Sequence, residues 1–404
     1  MLCEKTNFKE MTTSLLSTIL AYFQEDYRKA EFSILLCFIL SLLFSCFVLP
    51  RILIIAKCKG LYDDPDARKC HTAKIPRLGG LVFIPAVLIS LSFTIAVRYQ
   101  INFPLNPALS GSALLELLFL MAGSLFLYFV GAKDDLIGVR YRKKFIAQFL
   151  VASMFPMSGL YINNMYGLFG VYELPALIAV PFTIILIVYI TNAVNLMDGI
   201  DGLAGAGSLI CFLIYGLLYF DKGLWIYSTL SFALVGCLLP FLYYNIFGIP
   251  ERNTKMFMGD SGSLTMGYLL SFFSIKYTMC TDIGELDVQN FVIPFSLLFM
   301  PVFDALRVMC VRAFQNHPLF LADRNHIHHK CLATGLTHLQ STGLLLGYQL
   351  VIVFFNSWMC NYCNLNLLVI INILLAIFLN RVLTLFIYRK RNEESVSVRN
   401  HTGL

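Results

Sequence analysis

Long runs of apolar residues, separated by short polar segments, make up most of this chain. A helix needs about 20 predominantly apolar residues to cross the hydrocarbon core of a bilayer. On this criterion the pattern predicts about eleven transmembrane helices, of which the eighth is short and contains glycine. The predicted spans are Phe32–Leu49, Gly80–Val97, Leu114–Val130, Phe145–Ile162, Leu174–Val194, Leu203–Phe220, Leu224–Tyr243, Leu264–Tyr277, Phe291–Cys310, Ser341–Trp358 and Leu365–Tyr388.

The composition places the whole chain in the membrane class. Of 404 residues, 58% are hydrophobic and only 13% are charged, and the mean hydropathy is +0.73. These values exclude an ordinary soluble domain and predict an all-α polytopic membrane protein embedded in a lipid bilayer, with no nucleic-acid partner. Without a long linker, one membrane domain over residues 32–388 is expected, between an N-terminal segment (1–31) and a basic tail (389–404).

The lysine and arginine residues of the short loops predict the orientation. Alternate loops are basic, and positive loops stay in the cytoplasm. This rule places the N-terminus outside and the Arg389–Arg391 tail inside. Lys5, Lys9, Arg28 and Lys29 oppose the assignment, because they would be exported.

Five polar clusters interrupt the apolar pattern, and all five fall at predicted cytoplasmic ends of spans. Ordinary solvated loops would be scattered over both faces, so this confinement predicts one shared site at the inner membrane boundary. The clusters are Tyr62–Gly80, Gly131–Asp135, Asn192–Asp201, Met258–Ser263 and Ala322–His329.

The third cluster has a regular spacing. Asn192, Asn195, Asp198 and Asp201 recur every third residue, so in a helix they would form one stripe. Oxygen ligands at a water-facing helix end suit Mg²⁺ beside a diphosphate. The alternative is a helix C-terminus with Asn, Asp and Gly as turn residues.

From residue 60 to about 335 the chain resembles the polyprenyl-phosphate N-acetylhexosamine-1-phosphate transferase family. Within that family, the Pro-Arg-Leu-Gly-Gly run ending at Gly80 and the Asp-Arg-Asn-His-Ile-His-His run ending at His329 look most like the bacterial undecaprenyl-phosphate GlcNAc-1-phosphate transferases. The resemblance implies transfer of a sugar-1-phosphate from a UDP-N-acetylhexosamine to undecaprenyl phosphate, with release of UMP. It also implies the bacterial inner membrane and an active site on the cytoplasmic face. The sugar, the polyprenol length and self-association into a homo-oligomer stay open.

The resemblance also implies roles for individual residues. Asn195 and Asp260 would bind Mg²⁺, with Mn²⁺ as the alternative ion. Catalytic roles fall to Asp134, Asp135, Asp198 and Asp201. Substrate contacts fall to His71, Lys74, Arg77, Asn192, Arg312, Arg324, His326, His328 and His329. The chemistry agrees, because two anionic phosphates can meet only after metal and basic side chains neutralise their charge.

Several alternatives remain at this level. The histidines could bind zinc, and Asp304 is as compatible with pairing to Arg307 as with catalysis. Direct attack by the lipid phosphate competes with a two-step route through a phosphorylated aspartate. An intramembrane prenyltransferase and a secondary transporter are the rival functions. Cys360 and Cys363 form a CxxC pair on a predicted outer loop, a weak redox signal.

Overall fold

The computed structural model describes residues 26–62, 75–101, 111–280, 287–318 and 325–402. Its long elements are helices, with one β-hairpin, β1 (Asn164–Leu168) and β2 (Val171–Glu173), and short 3₁₀ turns at Gly79–Val82 and Pro250–Arg252. In chain order the helices are α1 (Asp26–Lys59), α2 (Phe83–Gln100), α3 (Gly111–Ile137), α4 (Tyr141–Ala152), α5 (Met154–Met157), α6 (Ala176–Met197), α7 (Leu203–Asp221), α8 (Trp225–Phe247), α9 (Gly259–Thr278), α10 (Gln289–Phe314), α11 (Ile327–Ala333), α12 (His338–Met359) and α13 (Leu365–Thr402).

The prediction of an all-α polytopic membrane protein is confirmed. Within the described residues, nine helices are long and apolar enough to cross a membrane. They correspond to nine of the predicted spans, and the two that remain are Phe145–Ile162 and Leu264–Tyr277. The first of these is not one helix, because α4 ends at Ala152 and the short α5 follows. A 12-residue helix is too short to span by itself. The total of eleven spans and the orientation stay predictions.

The other exception, Leu264–Tyr277, belongs to α9, which lies inside the bundle. Nearly every residue of α9 is buried. A helix surrounded by protein needs no apolar outer face, and its hydroxyls bond to the preceding turn: Thr265 Oγ1 donates to the carbonyl of Ser261 at 2.7 Å, and Ser271 Oγ to that of Gly267 at 2.8 Å. A Cβ on Gly267 would lie 2.7 Å from Cα of Thr191, so α9 and α6 are in backbone contact. Low hydropathy here therefore reflects a central position.

The β-hairpin lies at the C-terminal end of α9. The hydroxyl of Tyr166 in β1 donates to the carbonyl of Thr278, the last residue of α9. A 20-residue helix is about 30 Å long, so the hairpin and Gly259 are separated by roughly the thickness of a hydrocarbon core. The predicted orientation therefore puts the hairpin outside and the start of α9 inside.

This arrangement gives a test of the orientation. In a background without accessible cysteines, Tyr172→Cys on the exposed face of the hairpin should react with a membrane-impermeant maleimide in intact cells. Asn325→Cys should react only after permeabilisation, because it follows α10 at the predicted cytoplasmic end. His317→Cys, also exposed after α10, is the matched control and should behave like Asn325→Cys. Labelling of Tyr172→Cys and Asn325→Cys from the same side would contradict the orientation.

Candidate active site

The start of α9 is held by a carboxylate of α3. Gly259 has φ +74°, which favours glycine and turns the chain into the helix. The carboxylate of Asp135 then accepts hydrogen bonds from the backbone N–H groups of Asp260 at 2.7 Å and Ser261 at 2.9 Å. The first N–H groups of a helix have no partner within the helix. Asp135 therefore caps α9 and fixes the position of Asp260.

Asp260 is the centre of a charged cluster. Its carboxylate pairs with Lys144 of α4 and, at 3.4 Å, with Arg77. The same Lys144 ammonium lies 2.8 Å from Asp134 of α3. The side chain of Asp260 is only 8% exposed. The described residues thus bring parts of the first, second and fourth polar clusters together.

Lys144 is a member of this site that the sequence did not distinguish from other loop cations. It lies in the first turn of α4, among Arg142 and Lys143. Burial by itself lowers the pKa of Lys144, but the neighbouring carboxylates of Asp260 and Asp134 outweigh it and raise the pKa. The ammonium is therefore charged throughout the physiological range.

Asn195 joins α6 to the cluster. Its Nδ2 donates to the hydroxyl of Ser263 at 2.7 Å and to Asp260 at 3.2 Å. Asn192, one step earlier in the predicted stripe, instead exchanges hydrogen bonds with Gln148 of α4, the shorter at 2.7 Å. The structure therefore places Asn195 at Asp260 and Asn192 beside it, against α4.

The predicted stripe is helical only in part, because α6 ends at Met197 and the two aspartates lie in the turn that follows. Asp198 is half-buried, and burial raises its pKa to about 8; Arg77 opposes this shift, and the charges of Asp260 and Asp135 add to it. Asp198 thus belongs electrostatically to the Asp260 cluster.

Asp201 has other partners. Lys255 lies 2.6 Å from its carboxylate and His338 at 3.3 Å. Burial alone would raise the pKa of Asp201, but the hydrogen bonds and charges of these two partners outweigh burial and lower it. Asp201 links the turn after α6 to the start of α12, and its predicted catalytic role stays a prediction.

The histidine segment, from His326 to His329, reaches the turn that follows α6. A Cβ on Gly199 would collide with Nε2 of His328, so the two are in direct contact. The ring of His328 lies parallel to that of His326 at 5.7 Å and contacts His329 at 4.2 Å. Burial, reinforced by these two neighbouring histidines, lowers the pKa of His328 to about 3. Its ring is therefore neutral at pH 7. Arg312, also predicted at the site, is buried in the last turn of α10.

The donor set agrees in kind with the predicted Mg²⁺, since the side chains around Asp260 offer carboxylate and amide oxygens. In the described parts of the chain, however, no three His, Cys, Asp or Glu side chains are arranged as a metal site. The positive charge between Asp134 and Asp260 comes from Lys144. Metal binding therefore stays a prediction, as does zinc at the histidines.

Comparison with known proteins supports the resemblance. The family model described as glycosyl transferase family 4 matches residues 117–278. A probable undecaprenyl-phosphate N-acetylglucosaminyl 1-phosphate transferase of Bacillus subtilis is 31% identical over 80% of this chain and 83% of its own length. The chain belongs to the polyprenyl-phosphate N-acetylhexosamine-1-phosphate transferase family. Undecaprenyl-phosphate alpha-N-acetylglucosaminyl 1-phosphate transferases of Yersinia pestis and Salmonella typhi are 29% and 30% identical, each over 71% of this chain and 73% of the relative.

Membership of this family makes the chain a membrane-bound transferase. Of its predicted site residues, Arg77, Asp134, Asp135, Asn195, Asp198 and Asp260 lie in one charged cluster. His328 joins that cluster through Gly199, whereas Asn192 and Asp201 contact other partners. His71, Lys74 and Arg324 lie outside the described residues.

The contact between Gly199 and His328 gives a prediction. Gly199→Ala should displace His328, and because a small misplacement of a side chain at the site lowers the rate, we expect transfer activity to fall on the order of 10-fold. Gly343→Ala in α12 is the matched control, because its Cβ would meet open space. Transfer activity is measured for both variants, and their melting temperatures show whether a loss of activity comes from a loss of stability. Wild-type activity in Gly199→Ala would show that the contact has no role.

Proposed function

We propose that this transferase moves GlcNAc-1-phosphate from UDP-GlcNAc to undecaprenyl phosphate. An oxygen of the lipid phosphate forms a bond to the phosphorus attached to the sugar, and the bond from that phosphorus to UMP breaks. The products are undecaprenyl-diphospho-GlcNAc and UMP. The relatives' names support the lipid and the sugar. The proposal includes a bacterial plasma membrane and a site on its cytoplasmic face.

The observation that carries the proposal is the cluster around Asp260. Arg77 and Lys144 supply two cations beside the carboxylates of Asp134 and Asp260, where the membrane helices end. Both substrates are polyanions, so their phosphates need positive charge before they can approach one another. Arg77 and Lys144 are in position to exchange carboxylate partners for phosphate oxygens.

In this proposal Asp260 and Asn195 hold Mg²⁺, which would neutralise the diphosphate of the donor. Asp135 keeps Asp260 in place through the cap of α9. The lipid phosphate is largely ionised at neutral pH, so its attack needs little help from a base. Direct attack and a phosphorylated aspartate remain the two routes.

An apolar groove supports a polyprenyl acceptor. It has a volume of about 310 Å³ and runs between α6, α10 and α13 towards the hairpin. Its wall includes Ile190, only two residues before Asn192, and extends to Met165 of β1 at the opposite end of the bundle. A chain of isoprene units lying here would have its phosphate end near the Asp260 cluster.

The direct test is transfer by purified protein. Radiolabelled UDP-GlcNAc, UDP-GalNAc and related UDP-sugars are each offered with undecaprenyl phosphate, and lipid-linked label and UMP are measured. We expect both products from UDP-GlcNAc in equal amounts. A prenyltransferase or a transporter would yield neither.

The metal ligands can be tested separately. Asp260→Asn and Asn195→Ala should each reduce Mg²⁺-dependent transfer by more than ~10²-fold, if the metal supplies several kcal/mol of charge stabilisation. The control is Asp221→Asn, the same Asp-to-Asn change at the last residue of α7. Its transfer activity should be near that of the wild type. Insertion and folding are checked by size-exclusion chromatography. Activity within a few-fold of wild type would remove that residue from the metal site.

The histidine segment should act mainly on the sugar nucleotide. His328→Ala and His329→Ala should raise KM for UDP-GlcNAc with a smaller effect on kcat, if their contacts are equal in ground and transition states. His317→Ala is the control, since this exposed histidine lies beyond the end of α10. Unchanged kinetics in both variants, or loss of stoichiometric zinc from them, would reject the recognition role.

A further inference from the structure

A second buried carboxylate lies beside the histidine segment. Asp304 of α10 is 7% exposed. Its Oδ2 lies 2.8 Å from Nδ1 of His326, and its two oxygens lie 3.1 and 3.2 Å from the backbone nitrogen of Ile327. Ile327 begins α11, and the side chain of His326 at the N-cap position makes no capping hydrogen bond. Asp304 therefore supplies the cap from another helix.

Arg307 completes the arrangement one turn later on α10. Its guanidinium donates to Oδ1 of Asp304 through Nη2 at 2.7 Å and through Nε at 3.2 Å. The same Nη2 donates to the backbone carbonyl of Asn325. Asp304 and Arg307 thus hold both ends of the segment 325–327, and His326 lies between their two contacts.

We infer that Asp304 is a positioning residue that sets the orientation and tautomer of His326. An ionised carboxylate only accepts hydrogen bonds, so the hydrogen between the two side chains is on Nδ1 of the imidazole. With Nδ1–H directed at Asp304, Nε2 is the acceptor that the ring offers in its neutral form. Under the proposed function, on which this inference rests, Nε2 suits a hydroxyl or the acetamido N–H of the sugar nucleotide. It does not suit the diphosphate, which has no hydrogen to donate.

The position of His326 also determines that of its neighbour. The parallel contact at 5.7 Å places the ring of His328, which abuts Gly199 in the turn that carries Asp198. A contiguous set of contacts therefore runs from Asp304 to the Asp260 cluster. Asp304 itself need not touch a substrate.

One substitution separates positioning from a purely structural role. In Asp304→Asn the Oδ1 can still accept from Ile327 and Arg307, so the cap of α11 is retained. The new Nδ2, however, presents a hydrogen to Nδ1 of His326, which forces the ring hydrogen onto Nε2. The fold contacts persist while the acceptor at Nε2 becomes a donor.

The test is a double-mutant cycle of Asp304→Asn and His326→Ala, read in kcat/KM for UDP-GlcNAc and in its Kd by calorimetry. Alone, Asp304→Asn should lower kcat/KM on the order of 10- to 100-fold, as for other groups that orient a functional histidine. In the His326→Ala background it should add less than about 3-fold, because the ring on which it acts is gone.

Glu116→Gln is the matched control: Glu116 is also buried and paired, with Lys276 at 3.0 Å and Tyr227 at 2.6 Å, but at the opposite end of the bundle. Its kcat/KM should stay near wild type.

Two results would overturn the inference: wild-type kinetics in Asp304→Asn, or a loss of equal size with and without His326. If Asp304→Asn is not recovered folded, Arg307→Lys enters the same cycle, because it weakens the contact with the Asn325 carbonyl while keeping the cation. An equal loss in both backgrounds would again reject the inference. Wild-type protein that binds UDP-GlcNAc without transferring it would reject the proposed function alone, and the cycle would still be read in Kd.

Discussion

The position of the α9 N-terminus is the constraint on which the rest of this site depends. Asp135 accepts the first N–H groups of α9, and glycines let the neighbouring backbones come close enough for this to happen. A Cβ on Gly131 would lie 2.5 Å from Cα of Ser261, and one on Gly80 would collide with the backbone of Gly262. Three chain segments therefore meet at Asp260, whose partners Lys144 and Asn195 come from two further helices.

Such a cluster is a poor way to stabilise a protein. Removing charges from water costs free energy that pairing recovers only in part, and replacing a buried ion pair with apolar residues is often neutral or stabilising. In the described contacts Asp134 and Asp260 share the cations Lys144 and Arg77, while a third carboxylate, that of Asp135, is held by backbone N–H groups of α9. A reaction between two phosphates explains this arrangement better than stability does, because it needs cations held in place and oxygens available for a metal.

Much of the fold could be predicted from hydropathy, since lipid-facing helices must be apolar. Two features lie outside what hydropathy can predict, each for its own physical reason. The helix α9 faces protein and not lipid, so its serines, threonines and glycines lower its hydropathy although it lies inside the bundle. The helical spacing from Asn192 onwards holds only to Met197, and the turn then directs Asp198 and Asp201 to different partners. Lys255 and His338, which pair with Asp201, are far away in sequence and carry no local signal.

The two ends of the bundle show what distinguishes a reactive cluster from a structural one. At the hairpin end, Glu116 is buried but has one cation, Lys276, and one hydroxyl donor, Tyr227. The charge and the hydrogen-bonding capacity of Glu116 are therefore met within the protein, without an external ligand. At the other end, acceptors outnumber the cations that face them, and the ammonium of Lys144 has two carboxylates within reach, those of Asp134 and Asp260. Burial of a carboxylate would mark both ends of the bundle as candidate reactive sites. An excess of carboxylates over cations marks only the end where Asp260 lies.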